Sequence, residues 1–149
     1  MHGGDAMSRL VLVGLRVGLG VIFLWATVTK VPDMAAFAQD VANYRILSPV
    51  LVPYAAAAVV GIEIVTGIAL VTGVVARPAA LLAAALLVAF TGFVAQALLR
   101  GIDLRCGCFG GDERASWWTI GRDLLMLAAA IAVATAGERH PRRNPPLAV

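Results

Sequence analysis

Between Arg77 and Arg100 the chain reads PAALLAAALLVAFTGFVAQALL, residues 78–99, with no formal charge in 22 positions. A helix rising about 1.5 Å per residue needs about 20 mostly apolar residues to cross the core of a bilayer. This stretch is long enough, and it is apolar on every face. Working outward, the 31 residues 46–76 hold a single charge, Glu63. An earlier apolar stretch near 9–30 encloses Arg16 and ends at Lys30. A later one near 117–136 encloses Arg122 and Asp123. These four stretches predict an all-α membrane protein, a bundle of four transmembrane helices near 9–30, 51–74, 78–99 and 117–136.

Composition agrees. Of 149 residues, 60% are hydrophobic and 14% charged, and the mean hydropathy is +0.87. Soluble domains carry roughly 25% charged residues. A disordered chain, a coiled coil and a nucleic-acid binder that grips phosphates are all excluded, and the net charge of +3 is too slight to imply an anionic partner. Two cysteines make no disulfide scaffold. The two histidines, His2 and His140, stand in the terminal segments and argue against a haem or His-based zinc site within the membrane.

Residues 1–8 read as a leader, with Met7 a candidate start. The first span is too long for a typical signal core, and no small-x-small cleavage pattern follows it, so it reads as a retained helix. Residues 137–149 read as a disordered tail. Four spans place both termini on one side. Arg9, Arg77, Arg139, Arg142 and Arg143 fall there, against Lys30, Arg45, Arg100, Arg105 and Arg114 opposite. The counts are equal, and the basic cluster in the tail favours cytoplasmic termini. Runs such as Ala55–Ala58 and Ala83–Ala85 let helix backbones approach closely in lipid. Trp25, Trp117 and Trp118 fall toward helix ends on the side away from the termini, as an aromatic belt would.

The most specific feature is Asp103-Leu104-Arg105-Cys106-Gly107-Cys108-Phe109-Gly110-Gly111. It holds both cysteines of the chain, one residue apart, in a Gly-rich loop between two spans. Alpha-carbons two residues apart can lie about 5–7 Å from each other. A disulfide usually needs roughly 4.4–6.8 Å, so a bridge is within reach but tight. Gly107 supplies backbone freedom. A strained, exposed disulfide is labile or catalytic. Arg105 and the start of the next helix both favour the thiolate. Two thiolates would also suit Cu(I), whereas a closed zinc site wants four ligands. The bland alternative is a pair of small apolar side chains.

Charges inside the spans come next, since such groups pair with one another or face a cavity. Arg16 lies 14 residues from Lys30, roughly 21 Å below the surface away from the termini. Glu63 lies 12 residues from Leu51, roughly 18 Å below the same surface. The matching depths predict an Arg16–Glu63 ion pair, which either fixes packing or orients or protonates a ligand such as a quinone head group. Arg122 and Asp123 sit about 8–9 Å below the cysteine side and point to different faces, one toward the cysteine loop and one toward the first or second span. Lys30, Asp33, Asp40, Tyr44 and Arg45 fall in the other loop on that side and read as a solvated interface. Gln96 is a candidate interhelix contact. Arg16, Glu63, Lys30, Arg122 and Asp123 are therefore the structural or ligand-orienting candidates, and Cys106 and Cys108 the catalytic ones.

The order of these features resembles the methylamine utilisation protein MauE family, which belongs with the DoxX-like membrane proteins. The resemblance rests on Arg16, the Phe23-to-Lys30 helix end, Phe37 through Tyr44, Glu63 followed by Gly67, Cys106-Gly107-Cys108-Phe109-Gly110, Trp117 and Arg122-Asp123. It implies a four-helix protein of the bacterial inner membrane, active in thiol–disulfide chemistry or in maturation of exported proteins. For the namesake the implied client is the disulfide-containing small subunit of methylamine dehydrogenase. Relatives in the DoxX group are linked to quinone-coupled sulfur oxidation and to oxidative-stress defence. Membrane thiol oxidases that feed quinone relay electrons between two cysteine pairs. This chain has one, so a thioredoxin-like or exported thiol protein would supply the second, or a bound acceptor would take the electrons directly.

The expected function is a membrane thiol–disulfide redox protein with its Cys-x-Cys loop outside the cytoplasm. Its partners are the lipid bilayer and a thiol protein, with no nucleic acid. No cofactor or resident metal is required, and a quinone is the candidate acceptor. The alternatives are a non-enzymatic assembly or transport factor that binds Cu(I) or a quinone, and a purely structural membrane subunit.

Overall fold

A computed structural model of the chain describes residues 3–102 and 115–136. These residues form helices, with no strand among them: α1 (Gly3–Lys30), a 3-10 turn (Val31–Asp33), α2 (Met34–Asn43), α3 (Val52–Thr72), α4 (Ala76–Leu99) and α5 (Trp117–Ala136). Four are long and apolar enough to span a bilayer, the first candidate span running on through α2 as Met7–Asn43. The chain is a multi-pass membrane protein with an all-α fold. α1 reaches back to Gly3, six residues before the expected start of the first span.

The four long helices form a ring, α1 against α3, α3 against α4, α4 against α5 and α5 against α1. In lipid there is no hydrophobic drive between helices, so close backbone approach and packing must hold them. At the α1–α3 crossing Gly20 meets Gly67. A Cβ on Gly20 would lie 2.9 Å from the Gly67 carbonyl oxygen, and one on Gly67 2.7 Å from Leu24 Cγ. Neither position has room for a side chain. Opposite, α4 turns Ala79, Ala80, Ala83, Leu87, Val94 and Ala97 inward, and α5 turns Thr119, Asp123, Met126, Ala130 and Val133. Spacings of three, four and seven residues keep most of each set on one face, with Ala79 beside Ala80 at its edge. Outward, Val21, Trp25, Val65, Ile68, Leu81, Val88, Trp117, Trp118 and Leu125 stand exposed, the surface that a bilayer would cover.

Pro53 sits in the first turn of α3, where its missing N–H breaks no helical bond. α3 ends at Gly73 in the left-handed region, φ 77°, whose N–H bonds the Ala69 carbonyl oxygen at 2.9 Å. This termination turns the chain sharply into α4.

α2 corrects the reading of residues 31–50 as an ordinary loop. The Asp33 side chain caps its start by accepting from the Ala36 N–H at 2.9 Å. Its Phe37 packs with Ala56 and Val60 of α3. Tyr44, at its far end, packs with Val94 and Ala97 of α4 and lies 6.1 Å from the Phe93 ring. α2 is thus a strap from α3 to α4 over the bundle end away from the termini. Lys30 and Tyr44, expected in a solvated interface, are 3% and 5% exposed beneath it.

Candidate functional site

Lys30 is the last residue of α1, and its ammonium points into the bundle. Nζ lies 2.5 Å from Glu63 Oε1 on α3. It also stands 5.1 Å from the centre of the Phe37 ring and 6.0 Å from that of Phe90. A cation over aromatic faces is stabilised most where water is excluded. The ammonium is therefore held by α2, α3 and α4 together. Thr27, one turn back on α1, borders the same carboxylate and donates its hydroxyl to the Phe23 carbonyl oxygen.

Glu63 opens on the other side to a chamber of about 40 Å³ on the bundle axis. All four long helices line it, with Phe23, Ala26, Lys30, Glu63, Phe90, Asp123 and Met126 among the contributors. Asp123 is buried, and the Arg122 guanidinium folds back to it at 3.4 Å. Asp123 faces the interior, while the Arg122 side chain, 27% exposed, lies nearer the surface and turns its guanidinium back to Asp123. Asp123 lies six residues inside α5 and Phe90 nine residues before the end of α4. The chamber therefore lies roughly 9–14 Å below the bundle end to which residues 103–114 attach.

The expected Arg16–Glu63 pair does not form. Glu63 is held by Lys30, and Arg16 lies against the C-terminal end of α3, with Nη1 1.5 Å from where a Cβ on Gly73 would stand. A cation there meets the negative end of the helix dipole. The physical reason is register. Arg16 is four residues from Gly20 in one direction along the bundle, and Glu63 four residues from Gly67 in the other, which separates them by about 12 Å. Counting depth from Lys30 as though it lay at the water surface hid this offset. Gln96 Nε2 is buried with no hydrogen-bond partner among the described residues. Phe37 and Phe90, which cage the ammonium, were not expected. The Asp33 cap followed by Phe37, Val41 and Tyr44 at steps of four and three was the available signal for α2. Cys106 and Cys108 lie outside the described residues.

The profile of the family described as methylamine utilisation protein MauE matches residues 7–136. The chain belongs to the MauE family. A curated relative, the methylamine utilization protein MauE of Paracoccus denitrificans, is 35% identical over 132 residues, covering 87% of this chain and 71% of that protein. No solved structure matches the chain. The region matched to MauE takes in the chamber, the Lys30–Glu63 pair and the Cys106-Gly107-Cys108 motif.

A quinone head group does not fit the chamber. An apolar cavity of about 150 Å³ is what a benzene ring occupies, and about 40 Å³ is far less. What fits is water. The site can hold two charges of opposite sign in a fixed place and offer hydrogen bonds to small molecules.

Proposed function

We propose that this chain acts in methylamine utilisation as an inner-membrane thiol–disulfide redox protein that supports maturation of an exported protein. By resemblance, the client is the disulfide-containing small subunit of methylamine dehydrogenase. Membership of the MauE family supports the pathway. The observation that carries the chemistry is that both cysteines of the chain stand one residue apart in the sequence, in the segment joining α4 to α5. The basic tail, with Arg139, Arg142 and Arg143, supports cytoplasmic termini and therefore an outward-facing motif.

In the exchange, a partner thiolate attacks one sulfur of the Cys106–Cys108 disulfide. That bond breaks, and a mixed disulfide forms as the other sulfur leaves as a thiolate. The partner's second thiolate then attacks the mixed disulfide. The partner leaves oxidised by two electrons and Cys106 and Cys108 are left as a dithiol. With a single pair in the chain, reoxidation runs the same steps in reverse against the disulfide of a thioredoxin-like periplasmic protein. The lipid-embedded helices anchor the motif where exported chains emerge.

The test is capture. In a Cys106→Ser or Cys108→Ser variant the remaining thiol has no internal partner to resolve a mixed disulfide. One of the two variants is expected to accumulate a reductant-sensitive adduct with the thioredoxin-like periplasmic protein, formed when the lone thiolate opens that protein's disulfide and no second cysteine resolves the product. Normal expression of both variants with no adduct from either would contradict partner exchange.

A further inference from the structure

The chamber on the bundle axis has features that an ion pair alone does not need. Charged groups reach it from three helices: Lys30 from α1, Glu63 from α3 and Asp123 from α5, with Arg122 beside Asp123. α4 contributes Leu86, Leu87 and Phe90, and α2 lays the Phe37 ring over Lys30; none of these titrates. Glu63 is 4% exposed. Its Oε1 is engaged by Lys30, whereas Oε2 is buried with no hydrogen-bond partner among the described residues. A carboxylate oxygen without a partner in a dry interior is strongly unfavourable. The chamber beside it holds about 40 Å³. At roughly 10–15 Å³ for each water, that is space for about three or four. Glu63, Asp123 and Lys30 give such waters the several polar partners that an ordered internal water requires. A metal cation is not the occupant, because the Lys30 ammonium already holds the cationic place against Glu63.

We propose that the chamber is a hydrated proton-holding site, in which water bridges Glu63 and Asp123 and a proton passes between their carboxyl groups. The step is simple to balance. A hydronium in the chamber gives its proton to Glu63 Oε2 and becomes water, and the carboxylate becomes a neutral carboxyl group. The reverse step returns the proton to water, from which the Asp123 carboxylate takes it. Only O–H bonds are made and broken, and no electron moves. Lys30 is the positioning residue: held between Oε1 and two ring faces, it fixes the Glu63 rotamer and leaves Oε2 for the water. Intramembrane carboxylates that face a cavity serve as proton relays in other membrane proteins. This site stands independently of the thiol reaction.

Infrared difference spectroscopy on the full chain in lipid nanodiscs tests it, comparing samples across the pH range in which the protein stays folded. The expected result is a protonated-carboxyl C=O stretch that shifts in D2O and disappears in Glu63→Gln. The same band should move in Asp123→Asn, because the water bridge couples the two groups; a purely structural ion pair would give no such movement. Carboxyl-13C glutamate in Glu113→Gln/Glu138→Gln, where Glu63 is the one glutamate left, assigns the band should Glu63→Gln fail to fold. No protonated-carboxyl band, a band insensitive to the glutamate label, or a Glu63 band unmoved by Asp123→Asn would each overturn the proposal.

Discussion

Replacing Lys30 by Met removes the charge that faces Glu63 and leaves the carboxylate buried alone. The reverse holds for Glu63→Leu. Each single change is expected to destabilise the bundle by about 3–5 kcal/mol, the usual consequence of stranding half of a buried pair, and the double variant to recover most of that loss. A double-mutant cycle in detergent, read by thermal unfolding, checks this. The same cycle on Arg16→Leu and Glu63→Leu should be additive, since the Arg16 guanidinium lies at the Gly73 end of α3. Coupling between 16 and 63 instead of 30 and 63 would contradict the register described above. The sequence marks which residues carry charge in the membrane, because each is costly there. It does not mark partners. Lys30 looks like a boundary residue because Pro32 and Asp33 follow it, yet α2 folds over it and its four-carbon stem carries the ammonium inward.

Among the helices, the α1–α3 crossing is the tightest contact. Gly67→Ala would put a methyl group 2.7 Å from Leu24 Cγ and 3.1 Å from the Gly20 carbonyl oxygen, so α1 must shift outward. The expected loss is about 1–3 kcal/mol, typical of overpacking. It should be accompanied by weaker Lys30–Glu63 coupling, because both residues ride on the helices that move. Melting temperature together with the cycle above measures both effects, and an unchanged coupling would mean that the crossing does not set the register. Span lengths were legible because the bilayer demands only length and apolarity, and α5 spans the expected 117–136. α2 was not. Its ten residues are too few to cross a membrane, and Gln39 and Asp40 interrupt its apolar face. Its purpose emerges only once Phe37 and Tyr44 are seen to pack on different helices.

At the scale of the whole molecule, the ring order of the helices and the axial chamber could not be read from the chain, since alanine-rich faces on α3 and α4 present nearly the same pattern to any neighbour. Family membership, by contrast, follows from features spread over residues 7–136. Together the bundle, its strap and its buried charges make up the described structure, and in sequence the Cys106-Gly107-Cys108 motif lies between α4 and α5. The proposed function requires that the sulfurs of Cys106 and Cys108 couple to each other outside the cytoplasm. The most direct measurement is a redox titration on intact cells with a membrane-impermeant thiol reagent. The account predicts that under oxidising conditions neither cysteine is modified, and that both become modified together across one two-electron transition as the medium is made reducing. Thiols that are modified at every potential, or that are reached only after the cells are lysed, would contradict it.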